Sequence, residues 1–300
     1  MEQPNASLRS TPDAPFFRLA HLSDIHFGKI AHERIVTALV GEVNEQALDL
    51  VVISGDLTQR ARTSEYEAAR LMIDAFLPPV LVVPGNHDVR AWWHNPFERI
   101  FRSASRFRRF IGDDTTPAFA AEGVAAFGLN SAHGLTIKGG KIRPRHLEQM
   151  QTFFEVQPPE AFRILVVHHH LTRMQALGSH DVAHGAKQAL WAAGSANVEL
   201  ILCGHLHMSH VENVEIDVEL GQRIVIASAG TATSSRGRGS NRDVNFYNHV
   251  CIWPDHFTVA ERRFDVEAGA FAPARETRFE RAVRSARGVA PASNRASAGA

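Results

Sequence analysis

Short, fully apolar runs recur along this chain, and each one stops at a polar cluster. Phe17–Ser23 reads as a buried strand followed by a loop, Asp24–Lys29. Residues 32–48 carry Ile35, Val36, Leu39, Val40, Val43 and Ala47 on one helical face. Leu50–Ile53 is a second apolar strand, ending in Ser54-Gly55-Asp56. A helix is expected from Ser64, where Ser64 and Glu67 fit a capping box. Its apolar face is Tyr66, Ala69, Ile73 and Phe76, and Pro78-Pro79 stops it. Val80–Val83 is the third buried strand and ends in Pro84-Gly85-Asn86-His87-Asp88. Strands alternating with amphipathic helices predict βαβ units and a parallel sheet. In such sheets ligands sit beyond the carboxyl ends of the strands, where all three polar clusters lie.

The second half continues the theme. Pro96–Ile111 has helical spacing, with Phe97, Ile100, Phe101, Ala104, Phe107 and Ile111 on one side. Arg99, Arg102, Arg106, Arg108 and Arg109 line the other, either as a solvated face or as an anion-recruiting flank. Val124–Leu129 predicts a strand and Pro144–Phe154 a helix. Ile164–Val167 runs into His168-His169-His170, and a short helix is expected over Ala186–Ala193. Leu200–Cys203 runs into Gly204-His205-Leu206-His207. His210–Ile216, Arg223–Ser228, Asn248–Trp253 and Phe257–Phe264 alternate like antiparallel strands around a Gly/Ser-rich loop, Gly230–Ser240. Residues 1–15 read as a disordered lead-in, 16–284 as the folded domain and 285–300 as a disordered tail.

Composition narrows the class. With 300 residues, 44% of them apolar, the chain can bury a sizeable core. The 32 basic residues balance the 32 acidic ones, which removes a global electrostatic case for nucleic acid or an anionic membrane. Two cysteines, Cys203 and Cys251, cannot form a disulfide framework. The N-terminus lacks the apolar core of a signal peptide, and no apolar run reaches the roughly 18 residues of a membrane span. A cytoplasmic protein is expected, of unspecified oligomeric state.

The candidate chemistry lies at the strand ends. Strand alternation would turn Asp24 and His26 to one side, and likewise His205 and His207. Five strands end in metal-competent side chains: Asp24, His26, Asp56, Asn86, His168, His205 and His207. Nitrogen and oxygen donors without thiolate suit Mn, Fe or Zn and argue against a structural cysteine–zinc site. Seven donors are too many for one ion and right for two, with Asp56 placed to bridge them.

In this order the motifs Asp24-x-His26, Gly55-Asp56, Gly85-Asn86-His87-Asp88, His168 and Gly204-His205-x-His207 resemble the calcineurin-like metallophosphoesterases, across about Arg18 to Phe264. The resemblance implies an α/β fold, a four-layer α/β/β/α sandwich with two mixed sheets. It implies two divalent or trivalent metal ions (Mn, Fe or Zn), one held by Asp24, His26, Asp56 and His207. The other would be held by Asp56, Asn86, His168 and His205, with His169 the alternative to His168 because this chain has a third histidine where the family usually has proline. His87 would face the phosphate, to protonate the leaving oxygen or to stabilise charge on the phosphoryl group. Asp88 would orient His87 or a ligand, or only cap the loop.

The implied reaction is hydrolysis of a small-molecule phosphate ester by a metal-bridging hydroxide. His21-Leu-Ser-Asp-Ile-His26 and Ser228–Arg236 are similar to the bacterial branch of class III cyclic-nucleotide phosphodiesterases and glycerophosphodiesterases, so a phosphodiester is the expected substrate. A phosphomonoesterase or nucleotide-lipid pyrophosphatase is the alternative on the same fold. A catalytically dead scaffold would have lost ligands, and none is missing here.

Overall fold

The computed structural model describes residues 14–89, 103–133, 139–217 and 222–281. The expected lead-in (except its last two residues), the expected tail and most of the first half of the Pro96–Ile111 helix, including Arg99 and Arg102, lie outside them.

Two six-stranded mixed sheets pack face to face. β1 (Phe17–Leu22), β2 (Leu50–Ile53) and β3 (Val80–Val82) are parallel and continue through β10 (Phe246–Ile252), β11 (His256–Asp265) and β12 (Ala270–Glu280), in the order β12-β11-β10-β1-β2-β3. The second sheet runs β4-β5-β6-β7-β9-β8. In it β5 (Val124–Leu129), β6 (Phe162–Val167), β7 (Leu200–Cys203) and β9 (Gln222–Ser228) are parallel, while β4 (Ala118–Ala121) and β8 (His210–Asp217) are antiparallel edges.

The continuous apolar runs are explained by burial on both faces. Leu19, Leu50, Val52 and Leu81 point to Ala126, Ile164, Val166 and Leu202 between the sheets. Ala20, Leu22, Val51 and Ile53 point outward to α1 (Ile35–Glu45) and α2 (Thr63–Asp74). α4 (Pro144–Glu155) and α5 (Ala186–Ser195) cover the second sheet in the same way. The result is the four-layer α/β/β/α sandwich.

Several local expectations need correction. α1 ends at Glu45 rather than near Leu48, because Ala47 takes a left-handed φ of 49°. α2 begins at Thr63, and Glu65 rather than Glu67 does the capping. Its carboxylate accepts from the Arg62 and Arg60 amides at 3.2 and 2.8 Å. Of the basic helix, the described part is α3 (Ser105–Phe110). Phe107 is buried, and Phe110 stacks on Tyr66 with ring centroids 5.7 Å apart.

Candidate metal centre

Asp24 and His26 do not lie on a strand. β1 stops at Leu22, and both residues take left-handed φ, 52° and 51°, in the loop that follows. Asp56, His205 and His207 do the same, at 56°, 72° and 57°. Side chains are therefore aimed by kinked backbone, not by pleat alternation. The kinks are held from outside: Thr231 Oγ1 donates to the Asp24 carbonyl at 2.7 Å and Thr233 Oγ1 to that of Ile25 at 2.8 Å. The Ala232 amide donates to the Ser23 carbonyl at 3.0 Å. The Ser228–Arg236 segment is thus a brace for the first motif, a role its sequence does not announce.

The motif glycines make room for the carboxylates. A Cβ on Gly85 would lie 2.1 Å from Asp56 Oδ1, and one on Gly204 would lie 1.8 Å from Ser23 Oγ and 2.7 Å from Asp24 Oδ2. No side chain fits at either place.

Asp24, His26, Asp56 and His207 converge, each offering a ligand atom within 4.8 Å of the others, and all four are buried. One oxygen of each carboxylate is spent on protein donors. Asp24 Oδ2 accepts from Ser23 Oγ at 2.8 Å and the His205 amide at 2.9 Å, and Asp56 Oδ1 accepts from the His87 amide at 2.8 Å. The other oxygens, Asp24 Oδ1 and Asp56 Oδ2, are buried with no hydrogen-bond partner.

The imidazoles show what belongs there. His26 Nδ1 donates to the Thr58 carbonyl at 3.2 Å and His207 Nδ1 to the Arg236 carbonyl at 2.8 Å. A carbonyl only accepts, so each neutral ring keeps its proton on Nδ1 and its lone pair on Nε2. Those two Nε2 atoms lie 3.2 Å apart, and His207 Nε2 is 3.1 Å from Asp24 Oδ1. Lone pairs crowded this closely without a proton among them fit a cation. The donor set fits a resident metal.

A second group adjoins the first. His168 Nδ1 donates to the Ser54 carbonyl at 2.7 Å, leaving Nε2 3.1 Å from Asn86 Oδ1 and 3.4 Å from Asp56 Oδ2. Asp56 Oδ2 is also 3.6 Å from His26 Nε2, so one carboxylate oxygen stands between the two groups, as a bridge would. His168, His169 and His205 also converge within 4.8 Å. Ser131 Oγ lies 2.8 Å from His169 Nδ1, and a hydroxyl leaves the tautomer open, whereas the Ser54 carbonyl fixes that of His168.

Electrostatics agree with the geometry. Burial alone would raise Asp24 and Asp56, but the surrounding imidazoles outweigh it and hold both carboxyls well below the usual range. Burial alone would lower His168, but the Asp56 and Asp24 carboxylates and the Ser54 carbonyl together outweigh it, so the ring is pushed up to about 9. The field at its Nε2 favours a positive charge. Burial brings His26 down to about 4 and His205 to about 3, so both are neutral and able to ligate.

His87 lies beside the pair, its ring edge-on to His26 at 4.9 Å between centroids. Its Nδ1 donates to the Gln59 carbonyl at 2.7 Å. Asp88 does not hydrogen-bond His87. Its carboxylate accepts from the amides of Leu57, Thr58 and Gly85 at 3.1, 2.9 and 3.0 Å, tying the Asp56 loop to the Asn86 turn. Burial, with the Asp56 charge, pushes it up to about 7.

The family model for calcineurin-like phosphoesterases matches residues 17–209. The 3′,5′-cyclic adenosine monophosphate phosphodiesterase CpdA of Escherichia coli K12 is 24% identical over 236 residues, spanning 75% of this chain and 79% of that one. A probable cyclic nucleotide phosphodiesterase of Synechococcus is 26% identical over 224 residues, 70% and 80% of the two chains. A dimetal phosphatase from Danio rerio shares the fold, with a TM-score of 0.61 at 11% identity over 89% of this chain and 99% of that one.

Proposed function

This chain belongs to the calcineurin-like phosphoesterase family, whose members are metal-dependent phosphoester hydrolases, and from that premise we propose that it hydrolyses a small phosphodiester, a cyclic nucleotide foremost. The observation that carries the reading is the pair of buried, unpartnered oxygens, Asp24 Oδ1 and Asp56 Oδ2, each facing imidazole lone pairs. Asp24, His26, Asp56 and His207 would hold one ion; Asp56, Asn86, His168 and His205 would hold the other. The choice of a diester is supported by the phosphodiesterase relatives at 24–26% identity.

Bound there, two cations supply a deprotonated water at neutral pH and neutralise phosphate oxygens. The chain's own groups do the rest. The amide link from His87 to Asp56 and the Nδ1 bond to Gln59 fix the imidazole beside the pair, with Nε2 as its working atom. Only with a proton on Nε2 as well, in place of the Arg236 contact, would it stabilise charge on the transferring phosphoryl group or deliver that proton to the leaving oxygen. Asp88 acts one step back, by holding the loops that place Asp56 and Asn86 in register. Burial of the ligands excludes bulk water from their far side and strengthens each of these interactions.

The test is a panel of bis(p-nitrophenyl) phosphate, p-nitrophenyl phosphate and the 2′,3′- and 3′,5′-cyclic nucleotides, assayed with Mn²⁺. Diesters are expected to be cleaved with the higher kcat/KM. A preference for the monoester would overturn the diester reading in favour of a phosphomonoesterase.

A further inference from the structure

Arg236 is the last residue of the segment that braces the first motif, and it touches both sides of the site. Its carbonyl accepts from His207 Nδ1 at 2.8 Å. Its guanidinium reaches across to the third motif, where Nη1 donates to His87 Nε2 at 3.0 Å and to Gln59 Oε1 at 3.2 Å. Gln59 therefore holds the same pair twice, through its carbonyl to His87 and through its amide to Arg236.

What the guanidinium lacks is an anion. It is half-buried, and among the described residues it makes no ion pair, while its Nη2 and Nε atoms make no hydrogen bond. A half-buried cation in that condition is costly unless something negative comes to it. The Asp24 and Asp56 carboxylates lie within electrostatic reach, but as the candidate metal ligands they would be neutralised by the ions they hold. The guanidinium also stands against His87 Nε2, the atom to which the proposed reaction assigns the ester. Its planar edge of N–H donors matches phosphate oxygens better than any other side chain does.

We propose that Arg236 is the phosphate clamp of this site: it braces His87 in the resting chain and presents its free N–H edge to an anionic phosphoryl oxygen of the substrate. The proposal rests on the hydrolase reading above and adds to it the residue that recognises the anion. In the transition state, negative charge accumulates on the equatorial oxygens, so a fixed guanidinium there lowers KM and raises kcat together.

The experiment compares the Mn²⁺-loaded chain with Arg236→Ala and Arg236→Gln. The readouts are inorganic phosphate affinity by calorimetry, bound metal by elemental analysis, and kcat and KM for bis(p-nitrophenyl) phosphate. Both variants keep the main-chain carbonyl that His207 uses, and glutamine keeps an amide donor for His87 without the charge. Both are expected to retain two ions while binding phosphate about 10- to 100-fold more weakly, with kcat/KM falling in step. Added guanidinium ion is expected to restore part of the Arg236→Ala activity. If Arg236→Ala does not fold, Arg236→Gln alone decides. Phosphate affinity within about twofold of the parent would overturn the clamp, as would loss of metal from both variants, which would make Arg236 only a support for His207. An active parent with unchanged variants overturns the clamp alone; a parent that cleaves none of the esters overturns the hydrolase reading first.

Discussion

Among the described residues, nine non-glycine residues have positive φ, and five of them are candidate ligands. Each such residue costs about 1 kcal/mol, so strain is concentrated where the metals would sit. It persists because neighbouring backbone over-determines it, through Thr231, Thr233 and the motif glycines. Which residues are candidate ligands is legible from residue type, but their aim is not: the pleat rule puts Asp24 and His26 on one side, whereas left-handed backbone in the loop aims them. Gly204 is the tightest of these packing points, with its Cβ position 1.8 Å from Ser23 Oγ. Gly204→Ala drives a methyl into Ser23 Oγ, and Ser23 bonds to Asp24. The variant is expected to lose about 2 kcal/mol of stability and to bind metal at least about tenfold more weakly, of the order that losing a group which orients a ligand costs. Denaturant unfolding and metal titration check this, and unchanged values for both would show that the loop yields freely.

Elements buried on two faces announce themselves, and elements at the edges do not. β2, β5 and β7 are continuous apolar runs, and β1 and β6 are nearly so, broken only by Arg18, His21 and Arg163, because layers cover both sides, so their positions follow from pattern. β4 is alanine-rich and mostly exposed, and β12 is an edge strand carrying Arg275, Glu276, Arg278 and Glu280 and interrupted by Pro273. β12 is anchored by Phe271 against Tyr247 and Phe264, and by Phe279 against Phe257. No local signal marks those contacts, since the partners are on other strands. Buried polar groups also join elements. His21 on β1 lies 2.9 Å from Ser54 Oγ at the end of β2, and accepts from Asn248 Nδ2 of β10 at 3.3 Å. Burial pushes it down to about 3. The unfolded ring titrates near its usual 6.5 and the folded one does not, so between those values the unfolded chain binds the extra proton. The stability this provides is complete above about pH 6.5 and is lost as pH falls toward the folded value. The contribution of His21 is up to about 1.4 kcal/mol per pH unit. Thermal unfolding from pH 7 to 4 is expected to show a shallower decline in His21→Leu than in the parent; parallel declines would contradict it.

At the scale of the molecule, the two sheets meet at the site. Asp24, His26, Asp56 and Asn86 follow strands of the first sheet, and His168, His205 and His207 follow strands of the second. Order along the chain reveals that these groups belong together. That the sheets face each other, and that a segment after β9 crosses over to brace the first motif, are long-range facts that no window of sequence contains. The neutral overall charge likewise conceals a local field, with two carboxylates among the seven candidate ligand side chains and a guanidinium at their rim that makes no ion pair among the described residues. Asp56 is the single residue on which both halves depend, because its Oδ2 faces His26 on one side and His168 on the other. The most direct measurement is therefore metal content and bis(p-nitrophenyl) phosphate hydrolysis in the parent and in Asp56→Ala. The parent is expected to hold two ions per chain and to cleave the diester, and Asp56→Ala to lose both the metal loading and the activity. Full hydrolysis by Asp56→Ala, or a parent that holds one ion at full activity, would contradict the dinuclear account.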